Sequence, residues 1–224
     1  MIIKEVTLWT GNLEKTRSYY RDKLELEISA EAPGQFAVQI GTTKVTFHAI
    51  DMPEKPYYHL AFNIPAQQFA EAKAWAKSRL TLNEVKGEDE VFFESWNAHA
   101  FYFEDPSGNL LEFIARHNLE HPAEVPFSAS ALLGVSEVGI VTDEVLPLVR
   151  QLNDFGIPSW GEVSEGFTPV GDETGLGIVV KRGRQWFFSN LNAEFYPLEM
   201  LVEGIGRLSF PELNVVNKKT NDID

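Results

Sequence analysis

Apolar and polar residues alternate from Ile2 to Trp9. Ile3, Glu5, Thr7 and Trp9 share one face, and Lys4, Val6 and Leu8 the other, which is the signature of a strand. Thr10-Gly11-Asn12 can turn the chain and cap a helix running from Leu13 to Leu24. Strand patterns follow at Glu25–Ala30, Gln35–Ile40 and Lys44–Ile50, punctuated by Pro33-Gly34 and Gly41-Thr42. The result is a β-α-β-β-β unit. The same order begins again at Tyr57–Ile64, followed by a helix from Pro65 to about Arg79 and strands at Leu80–Val85, Val91–Glu94, His99–Phe103 and Leu110–Ala115. A polar link, Arg116 to Pro122, precedes a third start at Val135–Val141. Its continuation is a helix over Asp143–Phe155 and strands near Ile157–Trp160, Phe167–Gly171, Gly177–Lys181, Gln185–Asn190 and Leu198–Val202.

The units can be laid over one another. Lys4-Glu-Val-Thr-Leu-Trp-Thr10 matches Ser136-Glu-Val-Gly-Ile-Val-Thr142, and Leu110-Leu-Glu-Phe-Ile114 matches Pro197-Leu-Glu-Met-Leu201. Two matches in the same order argue for an internal repeat. The expected fold class is α+β, with repeated βαβββ modules forming curved mixed sheets and helices on the outer face. Residues 1–122 would hold two paired modules. Residues 123–224 would hold a third, ending in a polar, frayed tail from Asn214.

One stretch carries candidate chemistry. Phe101-Tyr-Phe-Glu-Asp-Pro-Ser-Gly-Asn-Leu-Leu-Glu-Phe-Ile-Ala115 reads as strand, tight turn, strand. Glu112 interrupts its apolar second strand, sharing a face with Leu110 and Ile114 while Leu111, Phe113 and Ala115 take the other. Such an acid either points into water from an edge strand or stands on the inner wall of a site. Inside, it needs a cation or a hydrogen-bond donor.

Composition narrows the classes. The net charge of −14 argues against a nucleic-acid or anionic-membrane surface. No apolar run is long enough to span a bilayer, and Met1-Ile-Ile-Lys-Glu5 lacks signal-peptide features, so a cytoplasmic location is expected. With no cysteine, any metal site must use histidine and carboxylate.

The repeat and the aromatic–Asp-Pro-Ser-Gly-Asn–Leu-Leu-Glu motif resemble the vicinal oxygen chelate superfamily, which includes glyoxalase I, extradiol dioxygenases, fosfomycin-resistance enzymes and bleomycin-binding proteins. The likeness covers Ile2 to Arg116 well and the third unit more weakly. It implies that modules one and two curl into one sheet around a divalent metal held by the first and last strands of each. Placed on this chain, those positions are Glu5, His48, His59 and Glu112, with Ni²⁺, Co²⁺, Mn²⁺, Fe²⁺ or Zn²⁺ as the expected cofactor. Strand parity agrees, because Glu5 and His59 each lie opposite the more apolar face of their strand. The first module departs from the pattern: glyoxalase I presents His or Gln first and Glu second, the reverse of Glu5 and His48.

The resemblance implies a metal-dependent isomerase or lyase acting on a small oxygenated substrate through a metal-stabilised enediolate. Glu5 and Glu112 are the candidate proton-transfer bases. Trp9, Trp96, His99 and Tyr102 are candidate pocket residues. Two alternatives stay open: a metal-free small-molecule binding protein of the bleomycin-resistance type, and an Fe(II) ring-cleaving dioxygenase using His48, His59 and Glu112. Glu137 and Glu199 occupy equivalent positions in the third module but lack a histidine partner within it. That odd module is expected either to pair across a homodimer or to pack back on the first two.

Overall fold

A computed structural model gives the fold and describes residues 1–53, 55–121 and 126–216. Three modules open in the same way. The first runs β1 (Ile3–Thr10), α1 (Leu13–Ser18), β2 (Ile28–Ala32), β3 (Gln35–Ile40) and β4 (Thr43–Ala49). The second runs β5 (His59–Asn63), α2 (Phe69–Lys77), β6 (Val91–Phe93), β7 (Ala98–Glu104) and β8 (Leu110–Arg116). The third runs β9 (Gly134–Thr142), α3 (Val145–Asp154), β10 (Phe167–Asp172) and β11 (Gly175–Lys181). Three further strands follow: β12 (Leu198–Val202), β13 (Gly206–Phe210) and β14 (Asn214–Val216). In each module the first strand lies parallel to the last, β1 with β4, β5 with β8 and β9 with β11.

The strands form two curved, mixed, seven-stranded sheets, in the orders β14-β13-β12-β1-β4-β3-β2 and β10-β11-β9-β5-β8-β7-β6. This corrects the expected pairing. Modules one and two do not share a sheet. Module two joins module three through an antiparallel β5–β9 contact, with Ala61 opposite Glu137. Module one is completed by the C-terminal strands through an antiparallel β1–β12 contact, with Thr7 opposite Glu199. The third module therefore packs back within the chain. The boundary expected at 122/123 and the tail from 217 lie outside the described residues, whereas Asn214–Val216 forms a strand on β13.

Several local expectations also change. The first helix passes from α into a wider turn at Tyr19–Lys23. Leu80–Val85 and Gln185–Asn190 form no strand and keep only isolated bridges at Leu82, Val85 and Gln185.

The two faces of the second sheet differ in side-chain size. Leu60, Phe62, Phe101, Phe103, Leu111, Phe113, Val138 and Ile140 join the main hydrophobic core. The opposite face carries Ala61, Ala98, Ala100, Tyr102, Leu110, Ile114, Leu176 and Ile178. Large residues on one side anchor the sheet. The alanines on the other leave room above it.

Candidate metal centre

The Asp105-Pro-Ser-Gly-Asn109 turn positions the first candidate ligand, His59. Gly108 takes φ +85°, a conformation glycine adopts without steric cost. The Asp105 carboxylate accepts from the Ser107 and Asn109 amides at 2.8 and 3.1 Å and from Asn109 Nδ2 at 2.7 Å. Asn109 Oδ1 in turn accepts from the Tyr58 amide at 2.8 Å. That bond fixes the start of β5, one residue before His59. Burial outweighs these hydrogen bonds, and the Asp105 carboxyl is pushed up to about 6.

On the small-residue face, three strands bring His59, Glu112 and Glu137 together. They are only 5%, 2% and 3% exposed. Each offers a ligand atom, and these atoms lie within 4.8 Å of one another. His59 Nε2 is 3.6 Å from Glu112 Oε2 and 3.6 Å from Glu137 Oε2. His59 Nδ1 lies 3.2 Å from the Leu110 carbonyl oxygen, which can only accept, so Nδ1 carries a hydrogen and donates it. In a neutral ring Nε2 then presents its lone pair to two carboxylates. Three electron-pair donors facing one another need a proton or a cation between them.

Arg116 satisfies one side of this set. Its Nη2 donates to Glu137 Oε1 at 2.5 Å and its Nε to Ser136 Oγ at 3.1 Å. Its guanidinium carbon lies 5.4 Å from the Trp96 ring centre and 5.7 Å from that of Trp160. Glu137 Oε2 is left facing His59. Glu112 Oε1 is buried without a conventional hydrogen-bond partner. Burial, reinforced by the Glu137 charge, raises the Glu112 carboxyl well above the usual range, while the Tyr102 hydroxyl and Arg116 pull the other way. Burial and the same two carboxylates push the Tyr102 hydroxyl up. The orphaned Glu112 oxygen and the converging lone pairs fit a divalent ion with one nitrogen and two oxygen ligands. At the register position on β11 equivalent to Glu112, opposite Gly139, the chain places Ile178. The chain thus offers three side chains that could hold a metal ion.

The triad forms the floor of a cavity of about 740 Å³. Phe93, Trp96, Tyr102, Trp160, Trp186 and Phe187 supply most of its aromatic wall. Gly139 permits one close approach there, since a Cβ at that residue would sit 2.8 Å from Trp186 Cη2 and 3.2 Å from His59 Cβ.

Of the residues expected from the sequence, His59, Glu112, Trp96 and Tyr102 meet at this cavity. Glu5 and His48 do not. Both lie on the other sheet, where Glu5 is ion-paired with Arg207 and His48 stacks on Trp9 at 5.7 Å. Trp9 is thereby removed from the cavity too. His99 points away from it and contacts His117, with Nδ1 and Nε2 2.7 Å apart. Glu137, Trp160, Trp186 and Arg184 were not among the expected site residues. Glu137 has no histidine within its own module; the histidine it faces is His59 of the neighbouring one.

In sequence, none of the curated proteins matches the chain. In fold it is similar to the crystal structure of a candidate dioxygenase from Bacillus subtilis, with 16% identity and a TM-score of 0.58 over 80% of this chain and 63% of that one. It is also similar to a glyoxalase I variant from Zea mays, with 12% identity and a TM-score of 0.51 over 80% of this chain and 66% of that one. Residues 2–113, half of the chain, match the family model described as Glyoxalase/Bleomycin resistance protein/Dioxygenase superfamily, and the chain belongs to that superfamily.

Proposed function

We propose that this protein is a divalent-metal-dependent enzyme that moves a proton on a small substrate bearing neighbouring oxygens, as an isomerase or lyase does. The observation that carries this reading is the convergence of His59 Nε2 with one oxygen each of Glu112 and Glu137 on the floor of a deep cavity. A bound divalent ion supplies Lewis acidity toward the substrate oxygens. The chain's own residues do the rest. The Leu110 carbonyl fixes the tautomer and rotation of His59. Arg116 holds Glu137 by one oxygen and leaves the other for the ion. Glu112 Oε2 faces the ligand set while Oε1 has no conventional hydrogen-bond partner, with the Tyr102 hydroxyl beside the carboxyl, so Oε1 is the acceptor for a proton from the carbon beside the substrate carbonyl. Glu112 can exchange this proton with water while it holds it and then returns one to the neighbouring carbon, and the substrate's hydroxyl proton passes to the former carbonyl oxygen, which completes the isomerisation. Glu5, paired with Arg207 on the other sheet, has no part in this reading.

A metal-free binding role is favoured by one observation. A protonated Glu112 and the Arg116–Glu137 pair would leave the floor electrically satisfied. An iron dioxygenase with two histidines has lost His48 from its ligand set. Deuterium incorporation decides among the three. Protein reconstituted with Mn²⁺, Co²⁺ or Ni²⁺ is incubated in D₂O with 2-oxo aldehydes and 2-hydroxy ketones, quenched with EDTA and analysed by mass spectrometry. The expected result is metal-dependent incorporation in the parent that Glu112→Gln abolishes. Oxygen consumption without incorporation would identify a dioxygenase. Ligand binding in EDTA with neither reaction would identify a binding protein.

A further inference from the structure

The cavity holds a cation that the proposed chemistry does not use. Arg184 lines it, with its guanidinium carbon 4.8 Å from the Phe167 ring centre. Partial burial lowers its pKa from the ordinary arginine value, with no opposing contribution from a nearby acid. Acids are abundant in this chain, which carries a net charge of −14, and most of its arginines have found one. Arg17, Arg21, Arg79, Arg116, Arg182 and Arg207 each hold a carboxylate within ion-pair distance. Among the described residues no carboxylate lies within that distance of Arg184. Glu162, which lines the same cavity, makes no ion pair with it. An acidic protein repels anions in general. A guanidinium at the wall of an aromatic cavity, with no carboxylate in ion-pair distance, therefore gives an anion entering that cavity a positive group to meet.

We propose that Arg184 is the anion-recognising residue of this cavity, and that its ligand is a carboxylate carried on a flat, apolar ring system. The ring would lie against the aromatic wall and the carboxylate on the guanidinium, whose planar fork matches its two oxygens. Trp96, Trp160 and Trp186 line the cavity and give such a ring aromatic surface to meet. The inference rests on the cavity as the ligand site of the proposed enzyme, but not on the metal, so it can be tested with the ion removed.

The test is calorimetric titration of the full chain in EDTA with 2-naphthoate and with its neutral analogue 2-naphthamide. The parent should bind the carboxylate about tenfold more tightly than the amide, the size of one charge-assisted contact. Arg184→Met should remove that preference while leaving amide affinity within about twofold, and Arg184→Lys should retain part of it. Arg184 is solvent-exposed, so unchanged thermal melting would verify that the variants fold. Equal binding of acid and amide by the parent, an acid preference that survives in Arg184→Met, or no binding of either probe would overturn the inference. His59→Ala tests the metal reading separately. It should lose metal while keeping the preference for naphthoate, so failure of one idea can be told from failure of the other.

Discussion

At the scale of single residues, the site depends on carboxyl groups held where water cannot reach them. Burial beside Glu137 raises the Glu112 carboxyl well above the usual carboxylate range, so without a cation it holds its proton to higher pH than an exposed glutamate does. Binding a cation must displace that proton. Metal affinity is therefore expected to rise with pH, and calorimetry in buffers of different ionisation enthalpy should show proton release on metal binding that shrinks as pH rises. Asp105 gives a second pH effect, of opposite sense for folding. Its folded pKa of about 6 lies above its ordinary 3.8. Its contribution to stability is thus full below pH ~3.8 and lost as pH rises through 6, by roughly 3 kcal/mol. A ¹³C titration of the Asp105 carboxyl should show a midpoint near 6; a midpoint near 4 would mean the turn is wet. At this scale the sequence was legible where strand parity could be counted. Glu112 shares a face with Leu110 and Ile114, as the alternation around it requires. Parity also separates His99 from Tyr102, since residues three apart on one strand lie on opposite faces, and only Tyr102 reaches the cavity. His48 failed for a related reason. The register of β4 against β1 sets Thr46 opposite Thr7, as Glu112 is opposite Ala61, so the position equivalent to Glu112 in module one is a threonine.

At the scale of elements, two short segments decide whether the site forms. The Asp105–Asn109 turn was readable from its proline, glycine and asparagine, and its link to the Tyr58 amide sets where β5 begins. The other segment, β9, was recognisable as a strand but not as the neighbour of β5, because nothing in an isolated strand pattern states its partner. Its Gly139 is the residue most sensitive to change, since an added side chain there meets Trp186 and the His59 Cβ. Gly139→Val should lower stability by about 1–3 kcal/mol through overpacking. It should also shift the tryptophan emission as Trp186 is displaced. A melting temperature and spectrum equal to the parent would mean that the β9–Trp186 contact is looser than described. Arg116 tests the same strand from the other side. Arg116→Ala leaves Glu137 buried without its partner and should destabilise by about 3–5 kcal/mol, measured by urea denaturation near neutral pH.

At the scale of the whole molecule, the repeat was legible but the way its copies pair was not. A sequence repeat gives the number of modules, whereas sheet partners are set by which edges meet after folding. Modules two and three share one sheet, and module one takes the C-terminal strands. The sheet built on module one retains a changed copy of the site. Glu5 stands where His59 does and Glu199 where Glu137 does, and Arg207 lies between the two acids, ion-paired with both. A guanidinium thus supplies the positive charge there that a bound ion would supply on the other sheet. Because the triad comes from one chain, metal stoichiometry should be one ion per chain even at dilutions where light scattering finds only monomer. A homodimer, if formed, would add no ligand to it. The most direct test of the account is metal content by mass spectrometry after reconstitution with Mn²⁺, comparing Glu137→Ala with Glu5→Ala. Glu137→Ala should lose stoichiometric metal while Glu5→Ala retains one ion per chain. Retention by Glu137→Ala together with loss in Glu5→Ala would place the ion on the other sheet and contradict it.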